Sequence, residues 1–562
     1  MRGPLLAISL DSRTGQVVIA GSDGRPSAQT AAHRSMAAPD AAELVARRDA
    51  APGPPARWVW WSTDVVAALL SHGVRPRRGF DLVQAHALLH GGAPQTALER
   101  VWACARGLDP AHTPQRLGND LFDALHGPDS AEEPGVLDDQ GYLSSHFLAA
   151  EGTAPHWARL ALQVAAAQYE QLARRERCTM TAHSESGAAV LALELQADGL
   201  PLHRPTIERL IEASAGPRPR GPAEDVAARR ARDAPVLRHV PPGRNVDLRN
   251  PEQVRALLTD LGIRIDSTRK QELEQHRHTH PIIDALLQWR VDERIASTYG
   301  WHWLDQHLGA DDRLRGRWSS FDGGAGRMSA SAGLHNLPAT LRPAVLAEPG
   351  RVFVRSDLGQ IEPRVLAVIS ADPALTAATR QDDLYQTVAE QLRVERPVAK
   401  PAVLSAMYGG SAGRATAALE GLNRAYPVAM DYLLAAQRAG EDGEPVTTYG
   451  GRHIAMAPAA ADEAQVRARG RFARNAVVQG AAAEFFKAWA LTVQSAVRGL
   501  DARIVMCLHD ELLLDVPAER ADDVANAVEE SLQDSARRWS GHSGVRFVTD
   551  TAVISCWADA KG

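Results

Sequence analysis

Two short apolar runs, Leu5–Leu10 and Gln16–Ala20, flank a Thr14-Gly15 turn. That spacing predicts a pair of β-strands joined tightly. Ala50-Ala51-Pro52-Gly53-Pro54-Pro55 breaks the pattern, and Trp58-Val59-Trp60-Trp61 resumes it,. Val65, Leu69 and Leu70 then recur at helical spacing, and residues 156–175 carry a long Ala/Leu/Gln/Arg helical pattern. Residues 1–175 therefore read as a first domain of mixed α/β type. Beyond it the period is mostly helical. Residues 183–215 predict an amphipathic helix and a second, shorter one. Gly216–Pro222 is a loop, and Asn250-Pro251 opens a helix that Leu261-Gly262 closes,. From His280 to Leu308 the spacing is helical again, with Ile283, Leu286, Leu287 and Trp289 as core positions. Strand patterns return at Arg351–Val354 and on both sides of His509-Asp510-Glu511. The whole reads as an α/β and α+β multidomain protein.

At 562 residues the chain is long enough for several cores, and 45% hydrophobic with 23% charged residues is a globular balance,. Cys104, Cys178, Cys507 and Cys556 are scattered without a CxxC pair, which excludes a disulfide framework and a zinc knuckle and suits a reducing compartment,. The apolar run at the N-terminus is too short for a signal sequence, and no 18-residue apolar stretch exists,. A cytoplasmic protein with no membrane partner is expected. The net charge of −6 argues weakly against a nucleic-acid binder, but a basic channel can sit on an acidic body,. The helical middle of the chain, with basic residues between its elements, suits either a nucleic-acid track or an ordinary bundle with a solvated face.

The chemistry concentrates late in the chain. Ile504–Leu508 and Leu512–Val516 are apolar runs around His509-Asp510-Glu511, the pattern of a hairpin with two carboxylates at its tip,. Acids held this close repel unless a cation neutralises them; Mg²⁺ and phosphoryl chemistry are the natural pairing. Upstream, Arg351–Ser356 is a short strand ending in Asp357, and Ile361, Val365, Leu366 and Ile369 then follow at helical spacing. If the two strands are neighbours, Asp357 and Asp510 can share a pair of metals about 4 Å apart. Read singly, each aspartate is as well explained as a turn or helix cap.

Together these residues resemble the family A DNA polymerases, the bacterial DNA polymerase I type. Asp357-Leu-Gly-Gln360-Ile361-Glu362-Pro-Arg364 is similar to that family's motif A, usually D-Y-S-Q-I-E-L-R. Arg396-Pro-Val-Ala-Lys400-Pro-Ala-Val-Leu404-Ser-Ala-Met-Tyr408-Gly409 is similar to motif B, and His509-Asp510-Glu511 to motif C. Gly326–Ser329, Asn336–Pro338, Ser297–Tyr299 and Asn475–Gly480 match lesser landmarks. The resemblance covers roughly 183–560. It implies a right-hand polymerase with an antiparallel palm sheet and helical fingers and thumb. Thumb and the start of the polymerase domain fall at 176–320, palm at 321–372 and 471–562, and fingers at 373–470.

By that resemblance Asp357 and Asp510 hold two Mg²⁺ ions, with Mn²⁺ as a substitute, and Glu511 and Lys400 join them in catalysis. Arg396, Lys400, Leu404, Tyr408, Glu362 and Gln360 would line the nucleotide, with Glu362 standing where a ribose 2′-hydroxyl would go. Arg327, Asn336, Arg364, Asn475, Gln479 and His509 would contact DNA. The expected partners are primer-template DNA and dNTPs, acting on a monomer in the cytoplasm at the nucleoid, in repair or replication. Four departures stand out: Leu404 replaces the motif B aromatic, Pro401 follows Lys400, Tyr385 replaces a usual His, and Pro363 follows Glu362. Pro401 removes a helical hydrogen bond, so the helix is expected to kink or to begin later.

Residues 1–175 resemble, more weakly, the family's 3′–5′ proofreading domain of ribonuclease H-like type. Its metal-binding acids are missing. Phe80-Asp81 matches one, Leu5–Asp11 lacks the D-x-E pair, and Trp157–Ala161 stands where Y-x3-D belongs. A degenerate domain without proofreading is expected, and with no 5′-nuclease domain before it. The competing readings are a 3′–5′ exonuclease, a single-subunit RNA polymerase, and a non-catalytic DNA-binding descendant of a polymerase.

Overall fold

The computed structural model describes residues 3–21, 33–52, 55–92, 96–114, 135–322, 324–409, 415–457 and 462–560. They form two compact units. One comprises Met1–Ala197, Trp318–Ser329 and Val354–Val553; the other comprises Asp198–Arg317, Ala330–Phe353 and Ile554–Gly562.

In the first unit, five strands form a mixed sheet: β1 (Leu5–Leu10), β2 (Gln16–Gly21), β3 (His33–Ala37), β4 (Arg57–Trp60) and β5 (Gly79–Asp81), in the order β3-β2-β1-β4-β5. β1 pairs antiparallel with β2, and β2 with β3, while β1–β4 and β4–β5 are parallel. Gly15, at φ +68°, supplies the left-handed residue that the β1–β2 turn needs,. The strands read as continuous apolar runs because both faces are covered. Leu6, Ile8, Val17, Ile19, Trp58 and Trp60 enter one core; Ala7, Val18, Ala20 and Val59 enter the other. The second core is capped by the helix Ala154–Ala173, as its sequence pattern predicts.

The same unit holds a four-stranded sheet ordered Arg503–Cys507, Glu511–Pro517, Arg351–Leu358, Thr549–Ile554. The first two strands are the expected antiparallel hairpin, with Cys507 opposite Leu512. A 35-residue helix, Glu463–Val497, is packed largely through Ala, Gly, Val and Phe positions.

The boundary expected at residue 175 lies inside this unit. The helix Cys178–Asp198, assigned to the thumb from sequence, belongs with the first unit. The physical reason is a buried charge cluster. Glu185 on that helix is paired with Lys487 Nζ at 2.7 and 2.9 Å and with Arg452 Nη2 at 2.8 Å, all three almost wholly buried.

The second unit is mainly helical. Asn250 caps the helix Pro251–Asp260 by accepting from the Glu252 and Gln253 amides. Ile283, Leu286, Leu287 and Trp289 are buried as expected. The helical spacing over 280–308 resolves into two helices, Ile282–Thr298 and Trp301–His307. It breaks at Tyr299-Gly300, where the Tyr299 hydroxyl turns aside to donate to the carbonyls of Gly333 and Asn336.

Candidate active site

Two strand ends make the site. Arg351–Leu358 delivers Asp357, and the hairpin tip delivers Asp510 with Glu511 opening the next strand. The Leu358 amide donates to the Asp510 carbonyl at 2.7 Å, so the main chain itself sets the two aspartates side by side. The Leu508 amide closes the tip on the Glu511 carbonyl at 2.8 Å. Burial, and then the Asp510 charge, push the Asp357 carboxyl up to about 6. Burial and the Glu511 charge raise Asp510 as well. Raised proton affinity is what buried, adjacent carboxylates display, and such oxygen donors suit hard divalent cations. Asp357 and Asp510 fit that role.

Sequence reading missed Arg355. It lies two residues before Asp357 and so on the same strand face. Its guanidinium is almost wholly buried. It donates to Asp357 Oδ2 at 2.8 Å, to Glu511 Oε2 at 3.0 and 3.1 Å, and to Asp550 Oδ2 at 2.9 Å. Strand alternation, which puts residue 355 on the face of Asp357, was the available signal.

A second group gathers around Glu362. Arg327 Nη2 donates to Glu362 Oε1 at 2.8 Å, and the Tyr408 hydroxyl donates to Oε2 at 2.6 Å. Gln479 hydrogen-bonds to Tyr408, and the charges of Arg327 and Glu362 both reach His509. Burial is the main cause that holds the exposed-tip His509 imidazole below its ordinary range, with Arg327 adding to it. Two residues assigned from sequence to nucleotide or DNA, Arg327 and Tyr408, thus meet at one carboxylate, with Gln479 bonded to the Tyr408 hydroxyl behind them. Asn475 stands one helical turn before Gln479, half-buried, with its Oδ1 unpaired among the described residues,.

The motif B segment is a single helix, Arg396–Tyr408, running through Pro401. The expected later start is not seen. Pro397 lies in the first turn, and Glu395 accepts from the Val398 and Ala399 amides, so the helix is under way before Pro401 drops its one bond,. Arg396 and Lys400 share a face: the Arg396 guanidinium and Lys400 Nζ lie 6.0 and 5.8 Å from the Tyr385 ring centroid. Tyr385, the substitute for a His, is thus a floor for both cations. Arg396 also pairs with Asp383. Asp383 in turn accepts from Gln360 Nε2 at 3.1 Å, and Gln360 Oε1 accepts from the Leu384 amide at 2.8 Å. Those two bonds hold Gln360 at φ +54°, a conformation rare outside glycine,. Leu404 is half-buried on the same helix.

Two assignments need restating. Arg364, expected at DNA, has no exposed surface. It spends its guanidinium on the backbone carbonyls of Gly359, Thr379, Gln381, Asp382 and Arg546. A cation with this many buried acceptors fixes loop structure and has no donor left for a phosphate. Asn336 lies in the second unit, exposed, its carbonyl taking the Tyr299 hydroxyl and Arg294 Nη2.

In the N-terminal domain Asp81 is an N-cap. It accepts from the Val83 and Gln84 amides at 3.0 Å and from Trp60 Nε1 at 2.8 Å, and is almost wholly buried,. Asp11 sits in the β1–β2 turn and accepts from the Arg13 and Thr14 amides.

The model of DNA polymerase family A matches residues 238–559. DNA polymerase I of Chloroflexus aurantiacus is 30% identical over 283 residues, which is 45% of this chain and 30% of that protein. The thermostable DNA polymerase I of Thermus aquaticus is 30% identical over 296 residues, 48% of this chain and 36% of its own length. The match therefore spans about a third of these relatives. Among solved structures, the POL domain of Pol1 from M. smegmatis, in complex with DNA primer-template and dNTP, superposes with a TM-score of 0.70 at 21% identity. It covers 99% of this chain and 96% of that one, a likeness of fold.

Proposed function

The chain belongs to DNA polymerase family A, and from that premise we propose that it is a template-directed DNA polymerase adding dNTPs to a primer 3′ end. The observation that carries the reading is the Leu358 amide–Asp510 carbonyl bond, which brings two sequence-distant acids to one point. Asp357 and Asp510 would hold a pair of divalent cations, Mg²⁺ or in its place Mn²⁺. Bound there, the ions would supply Lewis-acid neutralisation of charge on a 3′-hydroxyl and a triphosphate. Glu362, held between Arg327 and Tyr408, presents a fixed carboxylate suited to excluding a ribose 2′-hydroxyl. Arg396 and Lys400, together on one helix face, supply positive charge for the triphosphate. Gln479, Arg327 and His509 are donors around that carboxylate, and Asn475 stands one turn before Gln479 on the same helix; these suit minor-groove acceptors that every correct pair presents,.

The N-terminal domain is proposed to lack proofreading, because its candidate acid Asp81 is committed to capping a helix. No helix among the described residues is long and apolar enough to cross a membrane. A monomer working at the nucleoid is the proposed setting.

The test is primer extension with dNTPs or rNTPs by the wild type, Asp357→Ala and Asp510→Ala. Extension with dNTPs that either substitution abolishes is expected. DNA binding without extension would favour the non-catalytic reading, for which Arg355 pairing with Asp357 is the specific argument. A 3′-labelled strand with Mg²⁺ and no nucleotide should stay full length.

A further inference from the structure

The N-terminal domain carries a group of side chains that the polymerase reading does not use. His86 and His90 lie four residues apart on the helix Leu82–His90, hence on one face,. Cys104 comes from the next helix, Leu98–Arg106. One ligand atom from each of the three lies within 4.8 Å of the others. A tetrahedral zinc site, with bonds of about 2.0–2.3 Å, needs its ligand atoms some 3.3–3.8 Å apart, so small side-chain rotations would close the set.

From this geometry we propose that His86, His90 and Cys104 form a transition-metal site for Zn²⁺ or a similar late first-row dication, with a fourth position open to water.

Three further observations support it. His86 is 2% exposed, and its Nδ1 is buried without a hydrogen-bond partner among the described residues. A buried polar atom left unpaired costs about 1–3 kcal/mol, a cost that coordination would remove. Burial also drives the His86 imidazole down to about 3, which keeps it neutral and ready to ligate,. Finally, the His86 and His90 rings lie 4.9 Å apart between centroids, tilted 35°, as two ligands converging on one point require. The opposing charges are Arg100, which faces both imidazoles, and Arg175, which faces His90; His453 also approaches His90. A Cys104 thiolate returns one negative charge against them, and only an ion that binds thiolate well overcomes the rest. The cation would pin the two helices together.

The experiment uses the full chain, stripped with chelator and titrated with Co²⁺, then with Zn²⁺ in competition. The expected result is one Co²⁺ per chain with thiolate-to-cobalt charge-transfer absorption, displaced by Zn²⁺. Cys104→Ser should abolish that absorption while circular dichroism and primer extension stay unchanged, and His90→Gln should weaken Co²⁺ binding by at least about tenfold. His90 is exposed and Cys104 half-buried, so folding survives the change. Wild type that shows no thiolate band, or a band that survives Cys104→Ser, overturns the proposal. Cobalt held by Asp357 and Asp510 gives no thiolate signal and so does not confuse the result.

Discussion

Arg355 changes what the acids beside it experience. In the absence of a divalent ion it is a resident counter-charge for Asp357, Glu511 and Asp550. Removing one partner of a buried ion pair costs about 3–5 kcal/mol, because the remaining charges stay buried. Arg355→Gln should therefore lower stability in EDTA by an amount in that range. It also makes the site one unit more negative, so Mn²⁺ should raise the melting temperature of Arg355→Gln more than that of the wild type. Melts with and without Mn²⁺ decide it; equal metal responses would refute the account. The Asp357 carboxyl, pushed up to about 6, gives a pH expectation. Ionised Asp357 is the form that binds a cation, so extension should fall as pH drops through about 6. Metal and proton compete for the same oxygens, so raising Mg²⁺ should move the acid limb to lower pH. Rate profiles at two Mg²⁺ concentrations check both sign and shift; a limb that stays at the same pH at both concentrations would contradict it.

At the scale of elements, the Arg396–Tyr408 helix carries the clearest departure. Leu404 keeps apolar contact but lacks a ring, and base–aromatic stacking is worth about 1–3 kcal/mol in single-strand binders. Leu404→Phe should lower the dNTP KM with little change in kcat, measured by steady-state single-nucleotide incorporation. The elements themselves were largely legible. Short apolar runs found the strands around Asp357 and Asp510, and likewise β1 and β2 on either side of their turn. What escaped was decided by partners distant in sequence. Arg364 sits in a motif associated with DNA, yet its five carbonyl acceptors come from loops that no local pattern reveals. The break at Tyr299-Gly300 depends on carbonyls more than thirty residues away. Pro401 suggested a helix that kinks or begins later; the helix begins before it, at Arg396.

Across the molecule, the α/β domain and the polymerase sheet are not separable at residue 175. Glu185, Lys487 and Arg452 fasten the helix Cys178–Asp198 to the helix Glu463–Val497, which carries Asn475 and Gln479. Burial and its two cationic partners oppose each other at Glu185, and the partners win, holding its carboxyl below the ordinary range. Glu185→Gln should cost about 3–5 kcal/mol by urea denaturation, since Lys487 and Arg452 stay buried. Adding Lys487→Met should recover part of it, and additive losses in the double variant would refute the coupling. A truncation that starts at 176 should retain this cluster but lose the second core's sheet.

The bond from the Leu358 amide to the Asp510 carbonyl is made by peptide groups alone. Proline at position 358 aside, no exchange of one side chain for another deletes it. The spacing of the two aspartates is thus insulated from drift in the residues around it. A lineage is free to trade a histidine for Tyr385 or an aromatic for Leu404, altering how well a nucleotide is held while leaving the reactive centre's ruler untouched.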